Sequence, residues 1–278
     1  MSGAISYLDA AILGVVEGLT EFLPVSSTGH LTVAESLLHK QVDDPAVTAF
    51  TAIIQFGAIV ATFIYFRSDI VRLAAAWVGG LTSAPRRDHP DYRFAWAVIA
   101  GSIPIVVVGF LAKDLVKGPL RNLWVVAVAL ILWSAVMYVA EHRGRQKYGE
   151  EELSLGKVVL IGLAQCVALV PGVSRSGATI TAGLAMGYTR ASAARYAFLL
   201  AVPAVLASGL FEARKIGDET VAWGPTLLAT VIAFSVGLAV IAWLMKWLTT
   251  RSYLPFVIYR VCLGLFVMLL LALGVLSA

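Results

Sequence analysis

The sequence predicts an all-α integral membrane protein built as an inverted repeat, each copy being one re-entrant helical hairpin followed by three transmembrane helices, six spans in total. Three observations lead there. Hydrophobic residues make up 59% and charged residues 14% of the 278, far from the balance of a soluble domain. Six apolar stretches, near 50–66, 94–112, 122–140, 196–212, 226–245 and 254–276, are long enough to cross a hydrocarbon core of about 30 Å. Two further apolar regions, 8–38 and 155–187, are broken in their middles by Pro, Gly and Ser.

Irregular backbone at membrane depth is tolerated only where protein or a wet cavity covers it, so each broken region reads as a re-entrant hairpin. Sliding the second region back by 148 residues superposes the two without a gap. Gly14 falls on Gly162, Glu17 on Gln165, Val25 on Val173, Ser26 on Ser174, Ser27 on Arg175, Gly29 on Gly177 and, further along, Phe50 on Phe198. The chain is therefore expected to be a single membrane domain over 1–278, with one repeat at about 8–140 and the other at about 155–276. An odd number of crossings per copy turns the second copy upside down. That plan places a site near the bilayer midplane between discontinuous helices.

Charge sets the expected orientation. On this topology Arg67, Arg72, Arg86, Arg87, Arg93, Arg143, Arg145, Lys147, Lys157, Arg190, Arg195, Lys246 and Arg251 lie on one side, and Lys40, Lys113, Lys117, Arg121, Arg214 and Lys215 on the other. The richer side should be cytoplasmic, which puts both termini outside and opens the site toward the outer face. The formal net charge of +4 thus reports topology and calls for no nucleic-acid partner. Cys166 and Cys262 stand alone in apolar sequence, so neither a disulfide framework nor a zinc site is expected and both read as buried small hydrophobes. No Lys or Arg precedes Lys40, which argues against a secretory signal peptide.

The chemistry concentrates in the two hairpins. The first reads Glu17-Gly-Leu-Thr-Glu21-Phe-Leu-Pro24-Val-Ser26-Ser27-Thr28-Gly-His30. Ionisable groups in a bilayer are functional by default, and acids at i and i+4 of a helix share a face, where two like charges need a proton or a cation between them. The second reads Pro171-Gly172-Val173-Ser174-Arg175-Ser176-Gly177-Ala178-Thr179. Ser174 or Ser176 can cap the following helix, whose exposed amides and positive end favour an anion, and Arg175 adds a bidentate fork for phosphate. Acids, hydroxyls and an imidazole on one tip, facing an Arg and a phosphate-type turn on the other, are the equipment of phosphoryl transfer. Ser26, Ser27 or Thr28 can supply the nucleophile, and His30 has the side chain suited to proton transfer near neutrality. A divalent cation held by Glu17 and Glu21 completes the charge balance, Mg2+ or Ca2+ being favoured by ligands that are all oxygen.

Blander readings compete at some positions. Ser26, Thr28 and Ser176 serve equally well as caps or packing groups. Pro24 and Pro171 break helices. Arg260 lies near the expected cytoplasmic start of the last span, where snorkelling or a loop ion pair is the favoured account. Gln165, opposite Glu17 in the repeat, reads as a bridge between helices.

At these residues the sequence resembles the undecaprenyl-diphosphate phosphatases associated with bacitracin resistance. EGLTEFLPVSSTGH and PGVSRSGAT look like that family's two signatures, AFLLAVPA and PFVIYR look like it too, and the resemblance runs essentially the full length. It implies an inner-membrane hydrolase that removes the terminal phosphate of a C55 isoprenoid diphosphate and returns the monophosphate carrier to cell-wall synthesis. It assigns Glu17 and Glu21 to metal and diphosphate, Ser27 to nucleophilic attack, His30 to acid/base work and Arg175 to phosphate binding. Ser26, Thr28, Ser174, Ser176, Gly177 and Thr179 are expected around the phosphate, with a water in place of Ser27 as the alternative nucleophile. Expected partners are the polyprenyl diphosphate and membrane lipids, a homo-oligomer being left open. The rival reading is a lipid or ion-coupled transporter or flippase, which shares the architecture. A lipid phosphatase with a His nucleophile is disfavoured, because no His follows residue 142.

Overall fold

The computed structural model describes residues 5–42, 44–117, 120, 122–149, 152, 155–213 and 221–276, and every regular element among them is helical. In chain order these are α1 (Tyr7–Thr20), α2 (Ser27–Leu37), α3 (Pro45–Tyr65), α4 (Arg67–Thr82), α5 (Pro90–Leu111), α6 (Lys113–Lys117), α7 (Leu123–Arg143), α8 (Leu155–Cys166), α9 (Arg175–Ala185), α10 (Arg190–Ala213), α11 (Trp223–Thr250) and α12 (Leu254–Ala272). Short 3-10 turns cover Ala84–Asp88 and Val167–Leu169. Among the described residues five helices, α3, α5, α7, α11 and α12, are long and apolar enough to cross a membrane. The sixth expected span falls on α10, whose side chains from 207 onward lie outside the described residues. Large apolar side chains such as Leu132, Val231 and Leu265 cover the outside of the bundle, as lipid as the solvent requires and water would not allow. The protein is an all-helical, multi-pass membrane protein.

Local chemistry sets the helix starts. Ser6 and Asp9 form a reciprocal capping box at α1. Asp44 caps α3 ahead of Pro45, and Asn122 caps α7. Pro104 and Pro203 stand inside α5 and α10, where neighbouring helices can absorb the missing hydrogen bond.

The frame around the broken regions rests on close helix contacts. A Cβ on Gly14 would come within 2.6 Å of the Ala229 carbonyl oxygen, so α1 lies directly against α11. At the position 148 residues on, a Cβ on Gly162 would fall 2.3 Å from the Gly101 oxygen, so α8 lies directly against α5. Small residues let membrane helices approach this closely. A run of ion pairs ties together one end of the bundle. The Arg190 guanidinium donates to Glu141 at the end of α7 (Nε to Oε1, 2.9 Å), Ser252 Oγ in the α11–α12 link donates to the same oxygen at 3.0 Å, and Arg195 pairs with Asp69 of α4.

Three expectations need correction. The stretch after α3, read as a loop, contains α4, a helix that opens on Arg67, Asp69 and Arg72 and continues uncharged for only ten residues, too short a run for hydropathy to register as a span. Cys262 is exposed on α12 and not buried, since a membrane helix turns apolar residues outward as readily as inward. Gln165 bridges no helices: it is buried, and neither atom of its amide has a hydrogen-bond partner among the described residues. Arg121, Arg214 and Lys215 lie outside the described residues.

Candidate active site

The two breaks have the same local geometry. Ser26 and Ser174 both sit at φ 77°, each the N-cap of the helix that follows, and their hydroxyls accept the amide hydrogens of Gly29 (3.3 Å) and Gly177 (3.2 Å). Positive φ is strained for a residue with a side chain and persists only where the surroundings hold it. Here the tips hold each other. Ser26 Oγ also accepts from the amide of Gly172, itself at φ 100°, at 3.2 Å, and Ser176 Oγ donates to the Leu23 carbonyl at 3.2 Å. With the Ser176 proton so engaged, the 3.1 Å contact between Ser174 and Ser176 is a bond donated by Ser174. The hydroxyls of Ser26, Ser174 and Ser176 are thus used within the protein, and Thr179 Oγ1 donates to the Arg175 carbonyl at 2.9 Å. Thr28 is exposed.

Ser27 and Arg175 are the first residues of α2 and α9, and Glu21 joins them. Ser27 Oγ donates to Glu21 Oε2 at 2.6 Å, while Arg175 Nη2 lies 3.8 Å from Glu21 Oε1. The Glu21 amide still bonds to the Glu17 carbonyl at 3.0 Å, so the helical path continues through residue 21 and the two acids lie one turn apart. Glu17 has no exposed surface, and neither of its oxygens finds a hydrogen-bond partner among the described residues. Glu21, Arg175 and Glu35 are the charges that bear on it. An isolated buried carboxylate is costly, which marks Glu17 as an acceptor awaiting a cation or proton. Among the described residues no three His, Cys, Asp or Glu side chains are grouped as a metal cage, so the pair alone would have to share a cation with other oxygens. Mg2+ accepts that arrangement, being commonly held by one or two carboxylates together with water and substrate phosphate.

His30 faces Tyr259 of α12. Its Nδ1 lies 2.7 Å from the Ser26 carbonyl and its Nε2 2.7 Å from the Tyr259 hydroxyl, with the two rings stacked. A carbonyl only accepts, so Nδ1 carries the hydrogen; in the neutral ring Tyr259 then donates to Nε2. Neither nitrogen bonds to Ser27.

Arg260 departs from expectation. It does not snorkel. It is fully buried and donates from Nη1 to the Pro24 carbonyl (3.0 Å), from Nη2 to the Gly172 carbonyl (2.8 Å) and from Nε to Ser134 Oγ (3.1 Å). Sequence reasoning placed it near the cytoplasmic start of the last span, where a long side chain can reach the interface. Tyr259 gave no such signal, whereas Glu35, buried on α2 and bonded to Thr51 at 2.7 Å, could have been noticed as a third acid in the first broken region.

A cleft opens at Glu21, Arg175 and Ser176 and is lined from α3 and α10 by apolar side chains that include Ile59, Phe63, Phe198 and Val202. A polar end beside an apolar lining suits a molecule with a charged head and a hydrocarbon tail. Fold and site together define a membrane-embedded helical protein whose polar chemistry is assembled from two broken segments. The chain belongs to the bacitracin resistance protein BacA family, whose model matches residues 10–266. It is 52% identical to undecaprenyl-diphosphatase 3 of Frankia casuarinae, over 98% of this chain and 99% of that one. It is 50% identical to an undecaprenyl-diphosphatase of Paenarthrobacter aurescens (98% and 100% covered) and to undecaprenyl-diphosphatase 2 of Streptomyces coelicolor (98% and 97%).

Proposed function

We propose that this protein hydrolyses undecaprenyl diphosphate to undecaprenyl phosphate and inorganic phosphate, recycling the lipid carrier of cell-wall synthesis and conferring bacitracin resistance. The observation that carries the reading is the Ser27–Glu21–Arg175 contact at the mouth of an apolar cleft, in a chain about half identical to enzymes of that name along nearly its whole length. The isoprenoid lies between α3 and α10, and the diphosphate meets Arg175 and the start of α9. Ser27 Oγ attacks the terminal phosphorus as Glu21 Oε2 accepts its proton. The bond to the bridging oxygen breaks, undecaprenyl phosphate leaves, and water then releases phosphate from the serine. Glu17 and Glu21 would hold Mg2+ or Ca2+, which when bound neutralises charge on the diphosphate. A carrier has no need of a serine hydroxyl hydrogen-bonded to a carboxylate beside an arginine. Purified protein in detergent should release phosphate from the lipid diphosphate in a divalent-dependent manner; transport without phosphate release would replace this reading with the carrier.

The architecture proposed with this function is a six-span inverted repeat in one membrane domain, with re-entrant hairpins at 8–38 and 155–187, in the inner membrane. Its support is the matched Ser26 and Ser174 geometry and the matched packing of Gly14 on α11 and Gly162 on α5. Both termini face outward and the cleft opens to the outer face. Cysteines introduced singly at Arg87 and Tyr7, in a background lacking Cys166 and Cys262, test this in intact cells. An impermeant thiol reagent should label position 7 and leave position 87 unlabelled; the reverse pattern inverts the orientation.

Arg175→Lys should be severely impaired, because the ammonium keeps the charge but loses the planar fork. The comparison is with Arg175→Ala. If Lys restores turnover that Ala loses, Arg175 acts as a point charge and the bidentate geometry is unnecessary.

A further inference from the structure

Among the described residues Arg260 is the largest fully buried side chain, and no carboxylate pairs with it. Its acceptors are two carbonyl oxygens and a hydroxyl. The carbonyls belong to opposite tips, Pro24 at the first break and Gly172 at the second. Both lie where the chain has left the helix, so neither carbonyl is engaged by an intrahelical amide. The third acceptor, Ser134, is itself buried on α7 and donates to the Leu130 carbonyl at 2.6 Å. The guanidinium is mounted on a stiff support: α12 packs so closely on α7 that a Cβ on Gly264 would come within 2.7 Å of Ile131 Cγ1. In the same turn, Tyr259 holds the imidazole of His30.

We infer that Arg260 is a positioning residue that sets the separation of the two tips, and through it the placement of Arg175 against the Ser27–Glu21 pair. Two other hydrogen bonds join the tips, from the Gly172 amide to Ser26 and from Ser176 to the Leu23 carbonyl, and Arg175 faces Glu21 across them at 3.8 Å, but all three contacts belong to the tips themselves. Among the described residues, Arg260 alone hydrogen-bonds both tips to a helix outside the hairpins. A rigid planar fork can reach two acceptors at once with little loss of freedom; an ammonium on a flexible stem cannot fix the distance between them. The inference rests on the tips being the reactive elements, as proposed above, because an arginine that only stabilised the fold would not govern their chemistry. Misplacement of reacting groups by about 1 Å can cost about 10²-fold in rate.

The test uses Arg260→Lys and Arg260→Met in the full-length protein, with spin labels on cysteines at Leu19 and Val167. These are exposed positions on the approaches to the two tips, in a background lacking Cys166 and Cys262. Arg260→Lys should stay folded, lose about 10²-fold in kcat with KM changed only a few-fold, and give a shifted or broadened distance distribution. Arg260→Met should show the same pattern more strongly, and if it fails to fold the Lys variant carries the test. A Lys variant with wild-type kcat and an unchanged distance distribution overturns the inference. So does activity lost only in proportion to lost folded protein, with the distance unchanged. Because the distance measurement needs no turnover, a protein inactive on lipid diphosphates would overturn the proposed function while the role of Arg260 was still read out.

Discussion

Glu21→Gln should reduce phosphate release by at least about 10²-fold, the scale of losing a positioned base or electrostatic group, with the protein still folded. Glu21 is the hub of the site: one oxygen accepts the Ser27 hydrogen at 2.6 Å and the other faces Arg175 at 3.8 Å. The amide keeps the shape and removes the base, the charge facing Arg175 and half of the carboxylate pair. Glu17→Gln is expected to lose a similar factor for a narrower reason, since its unpartnered oxygens have no evident task but to meet a cation or proton. Removing an isolated buried charge should leave thermal stability unchanged or raise it. The measurement is turnover against divalent concentration, alongside the unfolding midpoint. Near-normal turnover of either variant with unaltered divalent dependence would remove that residue from the site.

Ser27→Ala should lose nearly all turnover while binding a non-hydrolysable diphosphate lipid almost as the parent does, because the substitution deletes the oxygen proposed to attack and leaves Arg175 and the apolar cleft in place. Ser26→Ala should behave oppositely. Its hydroxyl accepts amide hydrogens from Gly29 and Gly172 and holds a backbone at φ 77°, so its loss should appear first as lowered stability. Single-turnover phosphate release, lipid binding and thermal unfolding separate the two. If Ser27→Ala turned over within about tenfold of the parent, a barrier change of about 1.4 kcal/mol, a water and not Ser27 would be the attacking oxygen.

The candidate site was legible where its signal is local. Carboxylates, hydroxyls and an arginine inside apolar sequence stand out because the bilayer penalises them, and Ser27 and Arg175 were matched by a self-comparison that needs no coordinates. The contacts of His30 carry no local cue: its Nε2 meets the hydroxyl of Tyr259, 229 residues away. Arg260 was misjudged for lack of such a cue, its partners Pro24 and Gly172 being 236 and 88 residues distant. The helix α4 escaped notice because Arg67, Asp69 and Arg72 crowd its first six residues and leave an uncharged remainder too short to read as a span.

By itself the sequence determined the helical class, the positions of the apolar helices and of the two breaks, and the residue types that carry chemistry. All of these follow from properties of contiguous segments: transfer of apolar side chains into lipid, the missing amide of proline, the reach of a cap over one turn. Only the tertiary structure decided which groups touch: that Ser27 bonds to Glu21, that Glu17 and Gln165 find no hydrogen-bond partner among the described residues, and that one buried guanidinium on α12 grips both tips. Those choices depend on how closely α1 approaches α11, α8 approaches α5 and α12 approaches α7. Helix approach in a membrane is set by side-chain volumes on two helices at once, and no segment of the chain carries that information alone.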